Sequence, residues 1–336
     1  MPCVRTQEVL VGFGKGKQTD VSTANSIGNI WRLNKLDNPV VNVQLATEDD
    51  AAEYGKSDEF ASAVYKTNWN VEGSINKYMS SQFAAWAAVF GLSKTVKSGA
   101  GPYTYTCTPL NPQTDGCEPL YFSYLQQIRP AGPVLDQILI GNGVSGVTFQ
   151  FNSGVGRQSS RINVNFVGTG KITDPSTLTM PAATAETLIP ASSLAFTMNG
   201  TNYVSTARIE NVEFGFNQNL RPRYYPGSGT QSGGALAGAL EMSGRSAYLR
   251  VLARFEQGSD ELTKLRAQTT GTAVISAQAD ANNSITATFH QISYAVADLG
   301  ETDGWLTVSI TASVQKHTSN GLMTLVVVTG SDGIGQ

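Results

Sequence analysis

Residues 144–170 (VSGVTFQFNSGVGRQSSRINVNFVGTG) alternate apolar and polar positions, break at a polar, Gly-bearing turn, alternate again and close on Thr169-Gly170. Residues 304–330 (GWLTVSITASVQKHTSNGLMTLVVVTG) repeat that order and close on Thr329-Gly330. A period of two is the mark of a strand with one buried face, so each stretch predicts a β-hairpin. The two glycines lie 330 − 170 = 160 positions apart, close to half of the 336-residue chain, which predicts two β domains of one kind in tandem.

The remaining pattern fits that division. Strands are predicted over 39–47 and 66–75, separated by a polar stretch, 48–65, that opens with Glu48, Asp49 and Asp50. A long polar excursion between two strands is usually a working loop. Ser80 then precedes SQFAAWAAVFGL, where Phe83, Ala84, Ala87 and Phe90 share one helical face and Gly91 supplies a stop. Strands follow at 103–108, 120–128, 135–140, 144–151 and 161–167, and 171–193, rich in Thr, Ser, Ala and Pro, reads as a semi-extended linker. The second half repeats the order: a strand at 208–216, a polar loop at 217–238, a strand at 239–256, a short helix capped by Ser259, and strands at 272–279, 284–297, 304–315 and 322–328. The expected organisation is an N-terminal arm (1–38), a first domain (39–170), the linker (171–193) and a second domain (194–336). The fold class is mainly β: two tandem β-sandwich or barrel-segment domains, each with a flanking short helix.

Composition changes the picture in two ways. Charged residues are only 15% of the chain and glycine 34 of 336, so much of the surface is expected to be hidden in contacts. Net charge is −3, with thirteen Lys and Arg balancing thirteen Asp and Glu over residues 1–170, so neither half has the basic excess of a nucleic-acid binder. No stretch of about 18 apolar residues is long enough to span a bilayer, and the N-terminus lacks a secretory pattern, so synthesis in a cytoplasm is expected.

Candidate chemistry is sparse. Cys3, Cys107 and Cys117 form no CxxC pair and are remote in sequence from His290 and His317, which speaks against zinc; in a reducing compartment Cys107 and Cys117 are expected as free thiols. Gly141-Asn142-Gly143-Val144-Ser145-Gly146 spells GxGxxG, but a strand, VTFQF, follows where a dinucleotide site needs a helix, so a hairpin turn is the better reading. Gly12–Thr19 (GFGKGKQT) does not have phosphate-loop spacing and reads as part of a flexible arm. Neither Ser145 nor Ser228 sits in a GxSxG elbow, and Glu48, Asp49, Asp50 and Glu53 lack the Gly-punctuated pattern of a calcium loop. Trp31, Trp69, Trp86 and Trp305 read as core or interface anchors. No enzyme, no cofactor and no metal is expected.

The runs EDDAAEYGKSDEF, NWNVEGSINKYMSSQFAAWAAVFGLSK and INVNFVGTGKI, with YVSTARIENVEFGFNQNLRPRYYPGSG in the second half, resemble the major tail tube proteins of long-tailed bacteriophages, in particular their larger members. The resemblance spans most of residues 39–330 and rests on the order and spacing of elements. It implies a β-sandwich whose strands join those of neighbouring subunits into a barrel around a channel, with rings stacked into the tube that carries genomic DNA. It also implies that the long loops reach an adjacent ring, which assigns inter-ring contacts to Glu48, Asp49, Asp50 and Glu53 in the first half and Arg221, Arg223, Tyr224 and Tyr225 in the second.

Strand alternation extends this expectation. Val212, Phe214 and Phe216 share one face, while Asn211, Glu213 and Asn217 share the other and are expected to line the lumen, with Asn68, Asn70 and Glu72 as the matching set. A conduit must not grip DNA, and a neutral-to-acidic lining avoids the counterion-release binding that Lys and Arg produce. Members with one tube domain form six-membered rings, so a two-domain chain is expected to close as a homotrimer, with a hexamer if the second half merely elaborates one domain. The expected partners are further copies of the chain and other tail proteins (terminator, tape measure, baseplate or tip), in the virion tail and without a membrane. The alternative is a carbohydrate- or receptor-binding β-sandwich of a tail tip or surface adhesin, which predicts a monomer or small oligomer with clustered surface aromatics.

Overall fold

Alternation of apolar and polar residues makes most of this chain strand. In the first half β1 (Val9–Gly14), β2 (Ile30–Arg32), β3 (Val43–Asp49), β4 (Val64–Tyr78), α1 (Ser81–Leu92), β5 (Ser93–Ser98), β6 (Tyr103–Pro109), β7 (Tyr121–Ile128), β8 (Leu135–Asn152) and β9 (Ser159–Thr173) follow one another. The second half continues with β10 (Ala195–Met198), β11 (Thr201–Asn202), β12 (Ile209–Asn217), β13 (Leu220–Arg223), β14 (Thr230–Gln231), β15 (Gly234–Ala235), β16 (Ala239–Met242), β17 (Ser246–Arg254), α2 (Glu261–Arg266), β18 (Thr270–Asp280), β19 (Asn283–Thr302), β20 (Trp305–Val314) and β21 (Met323–Thr329). The computed structural model describes residues 9–32, 41, 43–49, 64–111, 113–128, 135–152, 159–175, 178–203, 209–256 and 259–336.

Among these residues nineteen strands join in one branched sheet, while β13 and β16 form a separate ribbon. The backbone of the sheet is an antiparallel run of eight strands in the order β3-β4-β9-β8-β12-β17-β20-β19. It does not close on itself. Branches leave it where the long strands outrun their neighbours. The N-terminal half of β8 pairs with β7, which carries β1 and β2; the N-terminal half of β19 pairs with β18, which carries β10 and β11.

The two halves share one core. A single apolar cluster runs from Val11 to Ile334, and ladders cross between the halves at β8–β12 and at β6–β21. One rung of the eight-stranded run shows how it is built: Ile162, Phe149, Phe214, Leu249 and Ala312 stand side by side on β9, β8, β12, β17 and β20. All five are buried, with Phe149 and Phe214 stacked at 4.9 Å, and each large apolar side chain so buried contributes about 1.5–3 kcal/mol.

Helix α1 packs against β8, β21, β6, β5 and β19. Ser80 caps it as expected, its Oγ accepting from the Phe83 amide at 3.2 Å. The helix does not stop at Gly91 as expected. Every residue of α1 is buried, so there is no solvent face, and the helix runs through Gly91 to end on Ser93 in the left-handed region (φ 63°). Gly91 is needed for proximity instead: a Cβ there would lie 2.3 Å from Phe216 Cε2. In the second helix Asp260 takes the N-cap position, and Ser259 Oγ accepts from the Glu256 amide at 2.9 Å.

Other expectations are corrected by where the chain pairs. Gly141-Asn142-Gly143 is no hairpin turn: β8 passes straight through it, with irregular register at Ile140/Asn142 and Val144/Gly146, and Gly141 takes φ +71°. The N-terminal stretch around Gly12–Thr19 is structural, since β1 pairs with β7, Phe13 is fully buried and Gln18 donates to Ser123 at 2.7 Å. The stretch 171–193 begins inside β9, and its later part is strapped along the first half: Leu178 and Ile189 are buried, and Glu186 bonds to Lys77 and Ser80. The two similar stretches that divide the sequence also pair differently. Residues 144–152 and 159–170 lie in β8 and β9, which pair with each other, whereas β20 and β21 both pair with β19, laid end to end along it with 315–322 looped out between them.

Candidate assembly surface

The eight-stranded run has a second face, opposite the core. The rung beside the apolar one reads Tyr78, Arg161, Gln150, Glu213, Arg250 and Thr311 from β4 to β20, and the next reads Asn76, Asn163, Thr148, Gly215, Tyr248 and Ser313. Polar side chains thus form a continuous surface across strands of both halves. Its three arginines are already engaged: Arg250 faces Glu213 at 3.8 Å, Arg254 Nε donates to Glu210 at 2.7 Å, and Arg161 lies 4.9 Å over the Tyr78 ring. Cations are therefore present on this face beside neutral and acidic side chains, and two of the three face a carboxylate.

Of the residues assigned to the lumen, Glu72, Asn211, Glu213 and Asn217 lie on this face, Glu72 and Asn217 being exposed. Asn68 and Asn70 do not stand free. The long loop of the second half folds back over the start of β4, and Tyr224 Oη sits 2.7 Å from Trp69 O, 2.9 Å from Asn70 Oδ1 and 3.2 Å from Asn68 Nδ2. Trp69 Nε1 donates to Gln231 O at 2.7 Å, and Ala235 of β15 pairs in parallel with Asn68. Burial raises the Tyr224 hydroxyl above its ordinary pKa, which keeps it a donor. Tyr224 is thus spent within the chain. Arg223 pairs with Glu241 across β13–β16, Arg221 is exposed on that ribbon and Tyr225 is half-exposed. Glu48 and Asp49 close β3 by their backbone, and Asp50 and Glu53 lie outside the described residues.

Alternation alone carried the signal for several face residues that went unassigned. Thr148 and Gln150 alternate with Val147, Phe149 and Phe151, and Asn163 and Asn165 with Ile162, Val164 and Phe166, but the β8–β12 ladder that joins them to the second half has no local signature.

Among the described residues the run is unpaired at both ends: β3 pairs there only with β4, and β19 beyond Ser293 only with β20. Near that second end Val296, Leu299, Trp305 and Leu306 are exposed, Trp305 to 60%. Unpaired strand edges with apolar side chains beside them are templates for another strand. Among the described residues no three His, Cys, Asp or Glu side chains gather as a metal requires, and no helix is long and apolar enough to cross a membrane. Cys107 is buried, its thiol pushed up to about 12 by that burial, and Cys117 is exposed; both are free. No protein-family model and no curated protein matches the chain.

Proposed function

We propose that the chain is a structural subunit that closes with copies of itself into rings, stacked as the tail tube of a long-tailed bacteriophage through which DNA passes without specific binding. One observation carries the reading: a single chain lays out eight antiparallel strands with one face in the core, the other polar, and an edge at each end that is unpaired among the described residues. A wall segment of a water-filled barrel needs those properties.

Pairing order supports two tube domains in tandem. β1, β2, β3, β4, β7 and β8 hold the places in the first half that β10, β11, β12, β17, β18 and β19 hold in the second, and β9 answers to β20 and β21 together. On this reading β8–β12 is a seam between domains that happens to lie within one chain. The same seam between chains joins β19 to β3 of the next copy. Three chains then supply 3 × 8 = 24 strands, and at about 4.8 Å per strand and about 40° tilt the wall is roughly 45–50 Å across. The terminator, tape measure and tip proteins of a tail are the further partners.

Negative-stain microscopy of the purified chain tests the proposal, with rings or filaments about one ring wide expected. A chain that stays monomeric at high concentration, even when mixed with other tail components, overturns it.

A further inference from the structure

The seating of the second-half loop has a counterpart at the start of β17. That loop rests on the start of β4 at Trp69, with Ala237 N donating to Thr169 O at 2.9 Å and Ile172 N to Gln231 Oε1 at 2.9 Å. Ile75 lies opposite Val164, which lies opposite Val147 at the β8–β12 seam; Val251 lies opposite Ile310, which lies opposite Ala297 on the open edge of β19. Matching Ile75 to Val251 and counting back six residues, 75 − 6 = 69 and 251 − 6 = 245, puts Arg245 where Trp69 stands.

Arg245 borders a cavity of about 600 Å3 that is lined also by Lys94, His290 and, from the looped-out segment, Lys316 and residues 318–322. Among the described residues no Asp or Glu lines it, and the nearby carboxylate whose charge acts on Arg245 is Asp115. Lys94 already holds Asp115 at 2.9 Å, whereas Arg245 and Lys316 make no ion pair among the described residues. The two loops differ in charge. The connection between β12 and β17, residues 218–245, carries Arg221, Arg223 and Arg245 against Glu241 alone; residues 48–63, from the end of β3 to the start of β4, carry six carboxylates (Glu48, Asp49, Asp50, Glu53, Asp58 and Glu59) against Lys56 alone.

The geometry points to this basic cavity as the seat of the acidic 48–63 stretch of a second copy of the chain, the neighbour in the same ring. The inference rests on the ring reading and deepens it: the contact of the first-half loop is lateral, within a ring, and it reproduces between chains the contact that Tyr224 and Gln231 make within one. Charge complementarity selects the partner and the register in which it docks.

The test uses rings assembled from a mixture of isotope-labelled and unlabelled chains, treated with a zero-length carbodiimide that joins lysine to carboxylate. Links from Lys316 or Lys94 to a peptide within 48–63 are expected, pairing labelled with unlabelled chains. The double variant Arg245→Glu, Lys316→Glu should raise the concentration needed for assembly about tenfold, and adding Asp49→Lys and Asp50→Lys should restore it. Rings that form without such links, or with links only inside one chain, overturn the lateral contact and leave the tube reading standing. A wild-type chain that forms no rings overturns both.

Discussion

At the scale of single residues the core is set by close approach. Alanine in place of glycine within a helix ordinarily stabilises by about 0.5–1 kcal/mol, because glycine loses more backbone freedom on folding. At Gly91 the sign reverses. The added methyl would meet the Phe216 ring at 2.3–2.6 Å and Val147 Cγ2 at 3.0 Å, where β8 and β12 press on α1. Gly91→Ala is therefore expected to cost about 1–3 kcal/mol, read as a lower urea midpoint with an unchanged slope. The sequence placed Gly91 near a helix end and so suggested a stop; it contained nothing local to say that an aromatic ring 125 residues on would occupy the missing side chain's place. Trp86 was easier to read, since a tryptophan among alanines on a helix belongs inside, and there it donates Nε1 to Gly14 O at 2.8 Å with Phe13, Phe83, Phe90 and Phe122 around it.

At the scale of elements, strands and the first helix were legible because period and caps are local properties. Their connections were less so. Gly141-Asn142-Gly143 has the composition of a tight turn, yet β9 pairs along one side of β8 through it and β7, then β12, along the other, and ladder bonds on both sides outweigh a local turn preference. The Pro-rich stretch after β9 has the composition of a linker, yet Glu186 draws it down onto β4. Lys77 and Glu186 are both buried, with side-chain exposures of 2% and 8%, and Ser80 Oγ donates to the same carboxylate at 2.8 Å. Burial lowers the Lys77 pKa and the facing Glu186 charge opposes that shift, so the pair is held by its geometry. Glu186→Gln leaves an uncompensated ammonium inside and should cost about 3–5 kcal/mol in chemical denaturation. Replacing both partners, Lys77→Met with Glu186→Leu, should cost far less. Equal losses in the single and double variants would instead assign the effect to packing of the strap.

At the scale of the whole molecule, the tandem order visible in the sequence acquires a geometric consequence. If β8–β12 is the pattern of the seam between copies, its register transfers. Val147 pairs with Phe216, and Val147 corresponds to Ala297 by their shared positions opposite Val164 and Ile310. Phe216 pairs with Ala247 as Val43 pairs with Val71, four residues before Val251 and Ile75 respectively, so Val43 corresponds to Phe216. Val43 of one chain is then expected opposite Ala297 of the next, with Cα atoms about 4.5–5.5 Å apart, inside the range a disulfide spans. A chain carrying Val43→Cys and Ala297→Cys, with the exposed Cys117 replaced by Ser, should therefore cross-link on oxidation of assembled rings. Non-reducing electrophoresis should give a ladder that ends at three chains, since the third link closes the circle; a ladder ending at six means that one chain supplies half the expected arc. Shifting one partner, Val43→Cys with Asp298→Cys, turns the side chains to opposite faces and should abolish the link while rings still form. Equal cross-linking of both pairs would show that the edges meet without a fixed register, and the transfer from the internal seam would fail.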